Sequence, residues 1–145
     1  MPFDETIPTS PLISILYREH AKYLNEKVKN EDLSFGLQPI LITIYKNEGI
    51  IQEQLAEKFH LNESTITRNL KKLEEKGFIE RIPDKRKKII KITKKGAKTA
   101  RKVMDYDDKW DEKIKSNLND EEYTVFKNTL IKICEEFKWT KLSKI

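Results

Sequence analysis

The stretch from Gln52 to Lys95 constrains this chain more than any other, because two short helical patterns, a tight break and a basic ribbon follow in direct succession. In the first pattern Leu55, Ala56 and Phe59 share one apolar face while Glu53, Glu57 and Lys58 stay in water. The pattern breaks at His60-Leu61-Asn62, and Asn62 is suited to cap a second helix because its side-chain oxygen accepts an unpaired backbone N–H. From Glu63 to Lys76 the residues Ile66, Leu70 and Leu73 form one buried stripe. The opposite face carries Ser64, Thr65, Thr67, Arg68, Lys71 and Lys72, hydroxyls followed by cations, which suit a phosphate-lined groove. Gly77 ends that helix, since glycine takes the left-handed conformation without a Cβ clash.

Two isoleucine-rich runs come next, Phe78 to Ile82 and Lys88 to Thr93, joined by a turn at Pro83-Asp84-Lys85-Arg86. Between Arg81 and Lys95 eight cations oppose a single acid, Asp84, whereas the whole chain has a net charge of only +5. Basic character confined to one ribbon is what a phosphate-binding arm needs. The expected fold is therefore mainly α with a small β-ribbon, a winged helix-turn-helix, and Ile50-Ile51 is placed to add a short strand beside the ribbon.

Several motifs in this region resemble the MarR family (multiple antibiotic resistance regulator) of dimeric winged-helix transcription factors. They are Gln54-Leu55-Ala56, Ser64-Thr65-Ile66-Thr67-Arg68, the run from Leu73 to Arg81, Asp84-Lys85-Arg86, and Ile92-Thr93-Lys94-Lys95-Gly96. The resemblance implies a cytoplasmic homodimer on a pseudo-palindromic double-stranded DNA operator, usually a repressor released by a small aromatic or phenolic ligand. The interval from Gly77 to Asp84 is shorter than the family's, so a shorter wing is expected.

On this reading residues 1–10 form a loose arm, 11–34 an N-terminal dimerisation helix, 35–96 the DNA-binding domain and 97–145 the C-terminal dimerisation helices. In the first helix Leu12, Ile13, Leu16, Tyr17, Ala21 and Leu24 recur at helical intervals, with Ser10 as its cap and Pro11 in its first turn. By the resemblance such a helix crosses to a second subunit; an ordinary core helix is compatible with the same pattern. After a turn at Asn30 to Ser34, a second helix is defined by Leu37, Ile40, Leu41, Ile44 and Tyr45, with Pro39 in its first turn and Asn47-Glu48-Gly49 as its stop. Beyond the ribbon Thr93 caps a long helix through Ala97, Ala100, Met104, Asp107, Trp110, Ile114 and Leu118. Asn119 with Glu122 restarts the chain as a final helix along Tyr123, Phe126, Leu130, Ile133 and Phe137, with Trp139 near its end. That much apolar surface wants a partner, and the expected dimer interface comprises Leu12, Ile13, Leu16, Phe126, Leu130, Ile133 and Phe137.

Reactive groups for catalysis are sparse. His20 and His60 are far apart with no His/Cys pair at zinc spacing, so neither metal nor cofactor is expected. The acids Asp105, Asp107, Asp108, Asp111 and Glu112 do not make a calcium loop, because the position where the sharp turn needs glycine is Trp110. They are read as a solvated helical face. Cys134, the one cysteine, sits among Ile131, Ile133 and Phe137 and reads as a buried small hydrophobe in a reducing compartment, with redox sensing as the alternative. Met1 to Pro11 lacks the basic and apolar regions of a secretory signal, and no run is long enough to span a bilayer.

If Glu63 to Lys76 enters a major groove, Thr65, Thr67 and Arg68 face bases while Ser64, Lys71 and Lys72 meet the backbone. Arg86 is the residue for the minor groove, with Lys85 and Lys87 on phosphates. Lysines on an edge strand also serve solubility alone, and on that alternative the chain is a winged-helix module for protein partners. Single-stranded RNA fits less well, since the ribbon has no aromatic stacking platform. By the resemblance an effector lies between the dimer helices and the reading module, where Arg18 and His20 are placed to pair with a carboxylate and Tyr17 or Tyr45 to face an aromatic ring.

Overall fold

The computed structural model describes residues 3–29 and 31–137. Six helices and one hairpin follow in order: α1 (Thr9–Val28), α2 (Gln38–Lys46), α3 (Gln52–Lys58), α4 (Glu63–Glu75), β1 (Ile79–Asp84), β2 (Lys87–Ile92), α5 (Lys94–Lys115) and α6 (Asp120–Glu136). A single 3-10 turn, Phe35–Leu37, leads into α2.

The caps explain most boundaries. Asn62 accepts the Thr65 N–H at 2.8 Å, Thr93 accepts that of Gly96 at 3.0 Å, and Asn119 with Glu122 forms a reciprocal capping box. Pro39 lies in the first turn of α2, where its missing N–H costs nothing. At the end of α4 the Phe78 and Gly77 N–H groups reach back to Leu73 and Glu74, and Gly77 takes φ +80°. This is a Schellman closure. His60 makes the same closure after α3 at φ +52°, a conformation that costs a non-glycine residue about 1 kcal/mol. This left-handed turn is what folds α3 back onto α4 within four residues.

Three details of the sequence reading are corrected. Helix α1 starts at Thr9, with Pro8 at the N-cap and no side-chain cap, so Ser10 is already helical; Pro11 still falls within the first turn, where proline is tolerated. The expected loose arm is also shorter, since Asp4 accepts the Thr6 N–H at 2.8 Å and begins a turn. In the ribbon, Pro83 and Asp84 belong to β1, paired with Lys88 and Lys87. The turn is Lys85-Arg86 alone, with Lys85 at φ +58°. Two-residue hairpin turns require positive φ to match strand twist, which the composition of the loop did not reveal.

The hairpin is antiparallel, with Ile79 opposite Ile92 and Arg81 opposite Ile90. Ile90 is buried, and its N–H donates to Ile50 O at 3.1 Å beside an isolated Ile51–Ile89 bridge. The expected third strand is thus one bridge long. The core cluster runs from Val28 to Val103, with Leu41, Leu55, Ile66, Leu70, Leu73, Phe78 and Ala100 fully inaccessible. Helix α1 buries only Tyr23, Leu24 and Val28, and α6 buries nothing. Cys134 is consequently exposed, contrary to the sequence reading, because its neighbours Ile131, Ile133 and Phe137 at the end of α6 are themselves exposed. Trp139 and Asn30 lie outside the described residues. None of the described helices is long and apolar enough to cross a membrane.

Candidate nucleic-acid interface

Helix α4 is held by its buried stripe of Ile66, Leu70 and Leu73, which turns the opposite face outward. Ser64, Thr67, Arg68, Lys71 and Lys72 are exposed there, and Thr65 is half-buried. Lys85, Arg86 and Lys87 are exposed at the hairpin tip. Thr67 of the ridge and Arg86 and Lys87 of the tip share a cleft of about 210 Å³ lined also by Gln52 and Lys88, with Glu53 and Glu63 on its wall. Cations outnumber acids in this hollow, and Lys85 adds another at the tip, where Asp84 opposite Lys87 is the one acid.

The small side chains on the ridge are already engaged. Ser64 donates its hydroxyl proton to Asn62 Oδ1 at 2.9 Å, so the oxygen it turns outward is an acceptor. Arg68 Nη2 lies 3.5 Å from Thr65 Oγ1, a long and exposed contact that is easily released. Gln52 Nε2 donates to Thr67 Oγ1 at 2.8 Å. Sequence reasoning missed Gln52, and periodicity holds no signal for it, because the bond joins two helices rather than two positions of one.

A latch fixes the hairpin to the helix. Arg81 Nη2 donates to Glu74 Oε1 at 2.9 Å, and the Arg81 backbone N–H donates to Glu74 Oε2 at 3.1 Å. The side-chain hydrogen bond from Arg81 holds the Glu74 carboxyl below the usual glutamate range, with the Arg81 backbone N–H and the charges of Arg81 and Lys88 adding to it. Glu74 lies at the end of α4 and Arg81 near the start of the hairpin, so one residue's guanidinium and backbone N–H, each on a different carboxylate oxygen, set their angle.

The predicted effector residues separate. Tyr17 and His20 line a second, mostly apolar cleft of about 360 Å³ together with Ile13, Trp110, Ile114 and Phe126. There the His20 ring lies tilted against Trp110, with centroids 5.2 Å apart, and its Nε2 lies 3.3 Å from Asp107 Oδ1. Tyr17 meets Phe35 edge-on at 5.6 Å. Arg18 is exposed on α1 and does not line this cleft, and Tyr45 stands apart, half-buried on α2 with Arg101 6.0 Å above its ring. Of the residues expected at a dimer interface, Leu12, Ile13 and Leu16 are exposed on α1 and Leu130, Ile133 and Phe137 on α6, while Phe126 is half-buried. Of the acids on α5, Asp105 pairs with Lys109 at 3.0 Å and Glu112 with Lys115 at 3.6 Å, and no metal-binding cluster occurs among the described residues.

A reading helix at the second position of a helix-turn-helix, followed at once by a basic hairpin, defines a winged helix-turn-helix protein. The MarR family model matches residues 39–88, and the HTH-type transcriptional regulator BilQ of Clostridium symbiosum is 34% identical over 75% of this chain and 78% of its own. The chain belongs to the MarR family of transcriptional regulators, which are not enzymes. The uncharacterized HTH-type transcriptional regulator YybA of Bacillus subtilis is 42% identical over 89 residues, and this chain spans 59% of its length. The crystal structure of MarR superposes with a TM-score of 0.82 at 28% identity, covering 96% of this chain and 97% of that one.

Proposed function

We propose that this regulator binds a pseudo-palindromic double-stranded DNA operator as a homodimer and acts as a repressor. The observation that carries this reading is the cleft that Thr67 of α4 shares with Arg86, Lys87 and Lys88 of the hairpin, flanked by the exposed Ser64, Arg68, Lys71 and Lys72, which lets one duplex be gripped at both places. Arg68, Thr65 and Thr67 face the major groove, Lys71 and Lys72 neutralise phosphates, and Arg86 enters the minor groove between Lys85 and Lys87. Pairing of subunits is supported by the apolar residues left open on α1 and α6, such as Ile13 at 62% and Phe137 at 69% exposure. A two-fold dimer places two reading helices about one DNA turn apart.

A small aromatic or phenolic ligand fits the apolar cleft beside Tyr17, His20 and Trp110, which is continuous with residues assigned here to the dimer interface. A ligand there would act through the pairing of subunits, and quenching of tryptophan emission by a benzoate probe would report it. DNA binding is tested by salt titration on a palindromic duplex. If half of the twelve cations on the two ridges and tips meet phosphate, log affinity falls against log salt with a slope of about −5. A slope near zero would remove DNA from the account and favour a protein partner for the basic hairpin.

A further inference from the structure

The bond between Gln52 and Thr67 does more than join two helices. Building on the reading of α4 as the base-contacting helix, we propose that Gln52 is a positioning residue: it fixes Thr67 as a hydrogen-bond donor toward the bases and so turns that position against cytosine.

A threonine hydroxyl has one proton and two acceptor lone pairs, and it rotates to suit its neighbours. On a helix the proton commonly goes to the carbonyl four residues back. Thr124 of α6 does this, donating to Asp120 O at 2.9 Å. Thr67 is arranged differently. Its oxygen accepts from Gln52 Nε2 at 2.8 Å, and among the described residues no acceptor takes its proton. The Gln52 amide arrives from a rigid platform, the first residue of α3, whose Leu55 is wholly buried in the core with Ile66 and Leu70 of α4. One lone pair therefore faces α3, and the O–H is free to point into the cleft shared with Arg86 and Lys87. An oxygen that already accepts a hydrogen bond is polarised into a better donor.

Base edges in the major groove answer such a donor unequally. Guanine offers N7 and O6, adenine N7 and thymine O4, while cytosine presents only its amino group. A hydroxyl held as a donor accepts the first three and rejects the fourth. Thr65 has no comparable constraint, because its neighbour is the mobile end of Arg68 at 3.5 Å.

The test selects duplexes from a randomised pool with the full-length chain and its Gln52→Met, Gln52→Glu and Thr67→Val variants, then sequences the bound fraction. Melting temperatures verify folding, which the partly exposed position of Gln52 and the exposed position of Thr67 favour. The unmodified chain is expected to disfavour cytosine at one position of each half-site by roughly three- to tenfold, the worth of a single hydrogen bond. Gln52→Met and Thr67→Val should each restore cytosine there and nowhere else. Gln52→Glu, whose carboxylate takes the Thr67 proton, should turn the preference toward cytosine while weakening binding generally. If Thr67→Val erases a base preference that Gln52→Met leaves intact, or if Gln52→Met weakens all sequences alike, the inference is overturned while base reading by Thr67 stands. If Thr67→Val alters no position, base reading by Thr67 fails and takes the inference with it.

Discussion

Replacing Gly96 by alanine sets two physical expectations against each other. Gly96 is the third residue of α5, and on propensity alone alanine there would stabilise the helix by about 1 kcal/mol. The structure reverses the sign. A Cβ at this position would stand 2.0 Å from Phe78 O, 2.8 Å from Ile92 Cγ1 and 2.9 Å from Phe78 C. The Phe78 carbonyl has little freedom to withdraw, since it accepts the Thr93 N–H at 3.1 Å, while the Thr93 hydroxyl proton goes chiefly to Gly77 O at 2.7 Å. Moving it weakens one hydrogen bond worth about 0.5–1.5 kcal/mol, and overpacking adds about 1–3 kcal/mol. Set against the propensity gain, the net loss is about 2 kcal/mol. Equilibrium denaturation at a fixed protomer concentration measures it, with Gly36→Ala as the control because nothing lies within 4 Å of a Cβ built there. That control should fall within about 0.5 kcal/mol of the unmodified chain. A Gly96→Ala protein as stable as the control would refute the close approach between the wing root and α5.

The remaining expectations concern charge and buried polarity. Glu74 has its pKa depressed in the folded state, so its pairing stabilises the protein above the ordinary glutamate pKa and is lost as pH falls through the depressed value. Glu74→Gln should therefore flatten the loss of stability below about pH 4, and an unchanged acid limb in denaturation midpoints would dismiss the latch. Gln38 is 2% exposed and, among the described residues, neither end of its amide has a partner, so Gln38→Met should raise stability by about 1–3 kcal/mol in urea titrations; a loss of that size would mean that ordered water holds the amide. Substituting Arg86 and Lys87 together should weaken binding to any duplex and reduce the salt slope of a dimer by about 3 to 4, and a variant with the full slope would take the wing out of the interface.

What could be read from the chain was local. Asn62, Thr93 and Asn119 announce helix starts because a cap acts within three residues, and Gly77 announces an end for the same reason. The outward face of α4 was legible because its buried stripe was. Contacts that close over longer distances were not. Gly96 reads as punctuation in the sequence, and only the approach of Phe78 across the wing root reveals that no side chain fits there. Cys134 reads as buried because its neighbours are apolar, yet those neighbours are themselves uncovered within one subunit. Arg81 counted only as one more cation of the ribbon, while in the fold its charge is spent on Glu74.

The placement of that ion pair has a mechanical consequence. Only Lys76, Gly77 and Phe78 separate α4 from β1, and the joint they form is clamped on its outer side by Arg81 and Glu74 and filled on its inner side by the buried ring of Phe78. Helix and hairpin are thereby welded into a single jaw. A force reaching it through α1 or α5 tilts both grips by the same angle, so in the proposed dimer the dimension free to change is the gap between its two jaws.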